Sequence, residues 1–300
     1  MVGGRARWIS RYGLAEGTFD FLNVVALGVI GLLALYPFAY TLSISLSTAA
    51  EAQSEGLHLY PRHVSFAAYA LVLESPEVVQ AFANTVMRTA LGTAIAFIAT
   101  CLTAYPISRK EMAHRQTVIF VIVFTMVFNG GVVPTYLIVR GLGLINTVWS
   151  LVLPMALSAF NVIVVKSFFQ QIPESLHDSA VVDGASEWAI LWRIYVPLSR
   201  PALATIGLWT AVMHWNQWLD AMLYITDDRR QVLQTFLQRI VIENSTRLTD
   251  IGQTAQQTTG YTPETVKAAT VIVTILPMIF LYVFMQRYLV KGLLLGGVKE

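Results

Sequence analysis

The side chains best suited to bind a ligand lie together in the segment HWNQWLDAML. Trp215 and Trp218 flank Asn216, and residues three positions apart share one face of a helix. Aromatic rings can stack on the apolar CH face of a pyranose while amides bind its hydroxyl groups, which is the mixture expected of a ligand site. His214 and Asp220 border this patch and carry ionisable groups without an obvious partner. A tryptophan belt at a membrane surface is the alternative explanation for the indoles.

A second candidate is the segment NGGVVP. Glycine is conformationally permissive and proline removes a backbone hydrogen bond, so Asn129, Gly130, Gly131 and Pro134 must weaken any helix that contains them. This weak point predicts either a hinge or a wall of a substrate path, and in the second case Asn129 belongs to the path. A kink that only serves packing is the alternative, since membrane helices tolerate breaks where protein or a water cavity satisfies the backbone.

Motifs for covalent or metal chemistry are absent from the sequence. There is no paired-histidine metal motif and no nucleophile elbow. Cys101 is the single cysteine, so the chain alone can build neither a disulfide nor a thiolate metal site. We therefore expect no catalytic, cofactor-binding or metal-binding residues in this chain.

The composition is that of a membrane protein. Of the 300 residues, 55% are hydrophobic and only 13% are charged, whereas soluble domains are about one quarter charged. The mean hydropathy is +0.59. The net charge of +2 is too small, and the basic residues are too scattered, for a nucleic-acid partner. A chain of this kind has membrane lipid as its surroundings.

Six stretches are long and apolar enough to cross a bilayer, for which about 20 residues suffice. None carries an acid or a base at its centre. They are residues 21–46, 86–105, 117–139, 147–168, 201–221 and 266–284.

The distribution of Lys and Arg predicts the orientation of these spans, because cytoplasmic loops retain positive charge during insertion. Six spans place both termini on one side, and basic residues cluster there: Arg5, Arg7, Arg11, Arg109, Lys110, Arg115, Lys166, Arg193, Arg200, Arg287, Lys291 and Lys299. We expect an all-α, polytopic membrane protein with six transmembrane helices and both termini in the cytoplasm. Residues 1–20 form its cytoplasmic N-terminal segment.

Two long outer loops follow from this topology, residues 47–85 and 222–264. Within the second, apolar residues recur at helical spacing and predict an amphipathic helix: Val232, Leu233, Phe236, Leu237, Ile240 and Val241. This helix could lie on the membrane or on a partner. The alternative is a cap packed on the outer ends of the chain's own spans.

The inner loop 170–200 is too polar to cross the membrane and too regular to be a slack linker. Pro173 suits the first turn of a helix, and Gly184 suits the left-handed position that ends one. Ser186 can cap a second helix, and Pro197 should stop it. The pattern predicts a helix, a sharp turn and a second helix.

The spacing in this loop resembles the docking motif of ABC importer permeases, usually Glu-Ala-Ala, three residues, Gly, nine residues, Ile, one residue, Leu-Pro. Ala180, Gly184, Ile194 and Pro197 match it. The departures conserve charge, size or apolar character: Asp178 replaces Glu, Ser179 replaces Ala and Val196 replaces Leu.

This resemblance implies that the helix sits in a groove of a separate ATPase. The residues implied to dock there are Asp178, Ser179, Ala180, Asp183 and Gly184. ATP and Mg²⁺ would then be bound by the partner ATPase and not by this chain.

The resemblance extends over nearly the whole chain. The segments NGGVVPTYLIVRGLGLINTVWSLVLP, HWNQWLDAMLYI and YLVKGLLLGGVKE are similar to the carbohydrate-uptake branch of these permeases, which includes the maltose importer. More narrowly, they resemble permeases for oligosaccharides derived from polysaccharides, either alginate-like or pectic. The type I permease fold is implied, with residues 21–300 as one transmembrane permease domain.

The resemblance also implies a set of partners in the bacterial cytoplasmic, or inner, membrane. These are a homologous second permease subunit, two ATPase subunits and an extracytoplasmic solute-binding protein, whose cleft would receive outer loop 222–264. The substrate is a carbohydrate. In this setting Trp215, Asn216, Trp218, His214 and Asn129 are candidates for the substrate path.

Two other classes of protein compete with a transport subunit of this kind. An ion-coupled secondary transporter needs acids or histidines inside its spans, and the central spans lack them. A membrane enzyme needs a metal motif, a nucleophile or clustered intramembrane acids. The sequence favours a translocation subunit without chemistry of its own.

Overall fold

The computed structural model describes residues 14–54, 56, 58–242 and 260–297. This part of the chain is helical, and its β pairing is confined to an isolated antiparallel bridge between Ser47 and Val64. The expected all-α class is confirmed for these residues. In chain order the helices are α1 (Leu14–Ser45), α2 (Ala49–Ala52), α3 (Ala67–Glu74), α4 (Pro76–Ser108), α5 (Arg115–Val127), α6 (Val132–Gly141), α7 (Val148–Val152), α8 (Ala159–Phe169), α9 (Glu174–Val182), α10 (Glu187–Ile190), α11 (Val196–Leu198), α12 (Arg200–Asn216), α13 (Leu219–Tyr224), α14 (Leu233–Ile242) and α15 (Pro263–Gly297).

The chain divides into two compact units, one within residues 1–72 and 247–272 and the other within 73–246 and 273–300. In the first unit, the Glu51 carboxylate accepts hydrogen bonds from the backbone N–H groups of Arg62 at 2.5 Å and His63 at 3.1 Å. The start of α15 has a reciprocal cap, in which Thr262 and Thr265 each donate a backbone N–H to the other's hydroxyl.

The second unit is built around α4, which packs against α12 and α8. Close approach to α12 depends on Gly92, because a Cβ atom there would lie 2.5 Å from Nε2 of His214. At the other end of α4, an apolar core joins it to α8, α10 and α12. Its fully buried members include Cys101, Ile107, Val165 and Ile190.

Within the residues that the structure describes, three helical stretches are individually long and apolar enough to cross a membrane: Gly17–Ser45, Pro76–Ser108 and Pro263–Phe284. Two bent pairs, α5 with α6 and α7 with α8, raise the number to five when each pair counts as one span. The predicted span 201–221 differs from the structure, where α12 ends at Asn216 and α13 begins at Leu219.

Both bent pairs contain a break with a local cause. Between α5 and α6 the chain turns by 113°, because Phe128 is extended and Gly131 has a φ of +82°. The weak point predicted from Asn129, Gly130, Gly131 and Pro134 is therefore confirmed as a break, although Pro134 itself lies in the first turn of α6. Between α7 and α8 the bend is 52°, and Ser158 caps α8 by accepting a hydrogen bond from Asn161 N–H. The sequence analysis did not predict this second break.

The boundaries of two outer segments also differ from expectation. Helix α4 begins at Pro76, with Ser75 at the N-cap position, and so includes residues assigned to outer loop 47–85. The amphipathic helix is present as α14. Its start packs on α4, with Val232 and Leu233 buried and Leu233 N–H donating to Thr85 Oγ1 at 2.8 Å. These contacts favour the cap among the alternatives.

Several predictions fall on residues outside the described part of the chain. They are most of the N-terminal segment 1–20, residues 243–259 of outer loop 222–264, and four basic residues that contributed to the orientation: Arg5, Arg7, Arg11 and Lys299.

Candidate functional site

The inner loop forms the predicted helix, turn and helix. Gly184 ends α9 with a φ of +78°, its N–H bonds to Val181 O at 3.0 Å, and Ala185 N–H bonds to Ala180 O at 2.9 Å. This pair of bonds is the Schellman arrangement, which favours glycine at the left-handed position. Ser186 then caps α10 by accepting from Ala189 N–H. The local prediction is confirmed.

The end of the second helix is where the prediction is wrong. Pro197 was expected to stop it, but α10 continues through a π-helical turn (Leu191–Tyr195) into α11 and reaches Leu198. A π turn interrupts the regular backbone ladder. Proline cannot donate the N–H that a regular α-helix needs at this point. The widened turn therefore carries the helix past Pro197.

The docking residues predicted from the sequence lie on a projecting surface. The Asp178 side chain is 71% exposed and Val182 is 86% exposed. Ser179, Asp183 and Gly184 are also exposed, and Ala180 is half-buried. We call this set, residues 178–184, the docking surface. It combines two carboxylates with exposed valines, so it presents both charge and apolar area to a partner.

Beneath the docking surface lies His177, which is buried. Its Nδ1 is 3.4 Å from Asp178 Oδ1 and its Nε2 is 3.4 Å from Glu187 Oε1. Glu187 also accepts a hydrogen bond from the hydroxyl of Tyr105 near the end of α4. Lys110 and Glu174 form a further ion pair at 3.2 Å. Side chains thus tie the loop to α4 and to the residues that follow it.

Three aromatic rings fill the space behind these polar contacts. The Tyr105 and Tyr195 ring centroids are 4.9 Å apart, and those of Phe169 and Tyr195 are 5.5 Å apart, both edge to face. Edge-to-face pairs contribute about 0.5–1.5 kcal/mol each beyond the area that they bury. The docking loop, α8 and the end of α4 therefore share one packed core.

The predicted ligand-binding segment lies where α12 breaks into α13, and its residues differ in exposure. Trp215 is buried and donates Nε1–H to Thr274 O at 3.1 Å. His214 is buried against Gly92, and neither ring nitrogen has a hydrogen-bond partner among the described residues. Asn216 is exposed and Trp218 is half-buried. Asn216 and Trp218 are therefore the accessible members.

Asp220 has a partner, contrary to the sequence analysis. Its carboxylate forms an ion pair with Arg88 of α4, whose side chain is 0% exposed while that of Asp220 is 13% exposed. Arg88 Nη1 also donates to Gln217 O at 2.7 Å. The guanidinium thus binds both sides of the break between α12 and α13. Sequence reasoning missed Arg88, although it is the one basic residue of the predicted span 86–105, near its start.

Asn129 lies apart from the tryptophan segment. It lines a cavity of about 500 Å³ formed by residues that flank the breaks between α5 and α6 and between α7 and α8. Trp215 lines a second cavity of about 570 Å³, which is almost wholly apolar and lies between α4, α12 and α15. The two cavities have no lining residue in common. The structure therefore does not bring Asn129 together with Trp215.

Within the described residues, no group of three or more His, Cys, Asp and Glu side chains could hold a metal ion. The side chains of the sites described above are suited to binding. The docking surface can engage a protein, and the two helix breaks can engage a polar ligand through aromatic, amide and hydroxyl groups.

The family model for "Binding-protein-dependent transport system inner membrane component" matches residues 81–294. The chain is 38% identical to the polygalacturonan/rhamnogalacturonan transport system permease protein YtcP of Bacillus subtilis, over 94% of this chain and 98% of that protein. It is 37% identical to Protein LplC of the same organism, over 95% and 96% of the two chains. Among solved structures, it is similar to a chain of a bacterial ABC transporter involved in the import of the acidic polysaccharide alginate. The TM-score is 0.88 at 33% identity, over 92% of this chain and 98% of that one.

Proposed function

The chain belongs to the family of binding-protein-dependent transport system inner membrane components, and on that premise we propose that it is a permease subunit of an ATP-driven oligosaccharide importer. The similarity to a polygalacturonan/rhamnogalacturonan permease and to an alginate importer supports fragments of an acidic polysaccharide, alginate-like or pectic, as the substrate. The family is one of transport components, which gives no support to the ion-coupled alternative or to a membrane enzyme.

The proposed assembly places six spans of this chain in the bacterial cytoplasmic membrane with both termini inside. Three single helices, two bent pairs and the shorter α12 supply the six. A homologous second permease completes the membrane part, and two ATPase subunits bind ATP and Mg²⁺. A solute-binding protein outside delivers the substrate, with outer loop 222–264 as its proposed contact.

The observation that carries this proposal is the docking surface and its attachment to α4. An exposed element that must transmit movement has to be stiff, and the C-terminal end of α9 is fixed by the Schellman arrangement at Gly184. Below it, His177 and Glu187 connect the surface to Tyr105. Displacement of α9 by an ATPase would therefore move α4, which is in contact with both α8 and α12. Asp178 and Asp183 are the proposed partners of basic groups on the ATPase.

We include the segment at the break between α12 and α13 in the proposed substrate path. Asn216 and Trp218 are accessible there and would meet the sugar directly. His214 and Trp215 support them from below, since one packs on Gly92 and the other hydrogen-bonds to α15. Asn129 belongs to the path through the separate cavity at the breaks in the other two spans.

The test of this function is coupling in the reconstituted importer, made of both permeases, the ATPases and the binding protein. Gly184→Leu forces a bulky residue into a positive-φ position on the docking surface, and we expect uptake per ATP hydrolysed to fall several-fold. Gly143→Leu is the matched control, because Gly143 has a similar φ of +69° and open space around it. Unchanged coupling in Gly184→Leu would contradict the docking role. Uptake by this chain alone under an ion gradient would refute the importer.

A further inference from the structure

The breaks in two membrane-spanning pairs meet at one cavity. Residues from the end of α5 and the break after it, together with the α7–α8 break and the start of α8, surround the volume of about 500 Å³ described above. Sites for small ligands commonly measure about 300–1,000 Å³. The lining residues are Thr125, Met126, Phe128, Asn129, Gly130, Leu157, Ser158, Ala159 and Phe160. We call this volume the break cavity.

The backbone at the break cavity indicates that it holds water or a polar ligand instead of lipid. Irregular backbone at membrane depth is tolerated only where protein or a water-filled space satisfies its polar groups. Asn129 Oδ1 accepts from Gly131 N–H at 2.9 Å, and Ala156 N–H bonds to Leu153 O. The N–H groups of Asn129, Gly130 and Leu157 have no such partner in the described part of the chain. Backbone donors without a protein partner therefore lie among the lining residues at both breaks.

The side chains of the break cavity complement a sugar. Phe160 is 57% exposed, and no other aromatic ring among the described residues contacts it, so more than half of its surface is accessible. Phe128 closes another side and is itself backed by Phe124, with ring centroids 4.3 Å apart. The Asn129 amide has its Nδ2 donor free, and Ser158 accepts a hydrogen bond and keeps its own O–H to donate. A flat ring with hydroxyl-binding groups around it is suited to a pyranose.

We propose that the break cavity is a sugar subsite that holds one residue of the oligosaccharide in passage. The CH face of the sugar lies on Phe160, and its hydroxyl groups bind Asn129 and Ser158. None of the lining residues is charged, so the subsite recognises the pyranose ring and not a carboxylate. Discrimination between acidic and neutral oligosaccharides takes place elsewhere. This proposal rests on the importer function proposed above.

Substitutions at Phe160 also distinguish a sugar from two other possible occupants of the break cavity. These are a lipid tail and a helix of the second permease. Leucine retains apolar volume, which suffices for lipid or helix packing, but it lacks the flat ring that a sugar needs. Tryptophan retains the ring. Phe160→Leu should therefore weaken uptake while Phe160→Trp preserves it only if a sugar is bound. Phe120→Leu is the matched control, because Phe120 is also largely exposed, on α5, and does not line the cavity.

The experiment measures ATP-dependent uptake of labelled tetragalacturonate by the complete reconstituted importer, with an alginate tetrasaccharide assayed in parallel. Phe160→Leu should raise the KM for uptake by about two- to tenfold, the effect of losing one aromatic contact. Phe160→Trp and Phe120→Leu should stay within about twofold of the wild type on the same scale. Basal ATP hydrolysis, a measure of assembly and docking, should be the same in all of them.

A second variant tests the volume of the break cavity independently of Phe160. A Cβ atom at Gly130 would meet only Pro134 Cβ, at 3.7 Å, so Gly130→Leu can be accommodated and takes up part of the cavity. It should abolish uptake while basal ATP hydrolysis remains.

The outcomes of these uptake experiments distinguish failure of the proposed subsite from failure of the proposed importer function. The subsite would be refuted if Phe160→Leu and Gly130→Leu both showed wild-type uptake, or if Phe160→Leu and Phe160→Trp showed equal losses. Neither result would contradict the importer function. If the wild-type importer carried neither probe, the proposed function would fail and the subsite with it.

Discussion

The ion pair between Arg88 and Asp220 allows a quantitative prediction. Asp220→Asn removes one partner and leaves a guanidinium that is 0% exposed. Breaking a buried pair from one side costs about 3–5 kcal/mol, because the remaining charge stays buried and uncompensated. Arg88 retains its hydrogen bond to Gln217 O at 2.7 Å, which places the expected loss near the lower end, at about 3 kcal/mol.

The assay is SDS-induced unfolding of the purified permease pair in detergent micelles, followed by tryptophan fluorescence. Replacing both partners by apolar residues, Arg88→Met with Asp220→Leu, should recover most of the loss, since such pairs can often be replaced with little cost. The control is Glu111→Gln. Glu111 pairs with Arg109 at 3.3 Å but is 64% exposed, so its loss should cost about 0–1 kcal/mol.

The reasoning would be refuted by an Asp220→Asn variant as stable as Glu111→Gln. A double replacement that is less stable than the single one would also contradict it, because the remaining buried charge is the stated cause of the loss. If the prediction holds, Arg88 is the residue that fixes the break between α12 and α13, and Asn216 and Trp218 depend on it for their position.

Two further predictions concern local geometry. Gly92→Ala should destabilise the permease pair by about 1–3 kcal/mol, because its Cβ would overlap the His214 ring; adding His214→Ala should relieve the loss, and a fully stable single variant would contradict the close packing. Hydrogen bonds from the backbone N–H groups of Arg62 and His63 lower the pKa of Glu51. The stabilisation from these hydrogen bonds is thus complete above the ordinary glutamate pKa and is lost as the pH falls through the lowered pKa. If NMR showed the Glu51 carboxyl titrating at or above the ordinary pKa, these hydrogen bonds would be excluded.

Local signals were sufficient for the docking loop and for one helix break. The positions of Gly184 and Ser186 specify a helix end and a helix start within a few residues, and the structure has both. Asn129 and its neighbouring glycines likewise identify the break before α6. Pro197 shows the limit of such rules, because a π turn accommodates it within the helix.

Contacts between distant segments could not be predicted in the same way. The sequence shows Arg88 inside one span and Asp220 at the end of another, but only packing of α4 on α12 pairs them. The contact of Tyr105 with Glu187 has no sequence signal. The break cavity combines a predicted break with one that the sequence analysis did not predict, so its residues could not be grouped beforehand.

The central claim is that residues 178–184 dock on the ATPase, and site-directed crosslinking tests it most directly. Cys101 is the chain's only cysteine and is fully buried, so it should not react with a maleimide. In the assembled importer, Val182→Cys should crosslink to the ATPase through a short reagent with a maleimide at one end and a photoreactive group at the other, because such a reagent needs no cysteine on the ATPase. Leu142→Cys, an exposed position in the proposed outer turn, should not. Absence of the Val182→Cys product, or an equal product from Leu142→Cys, would contradict the account.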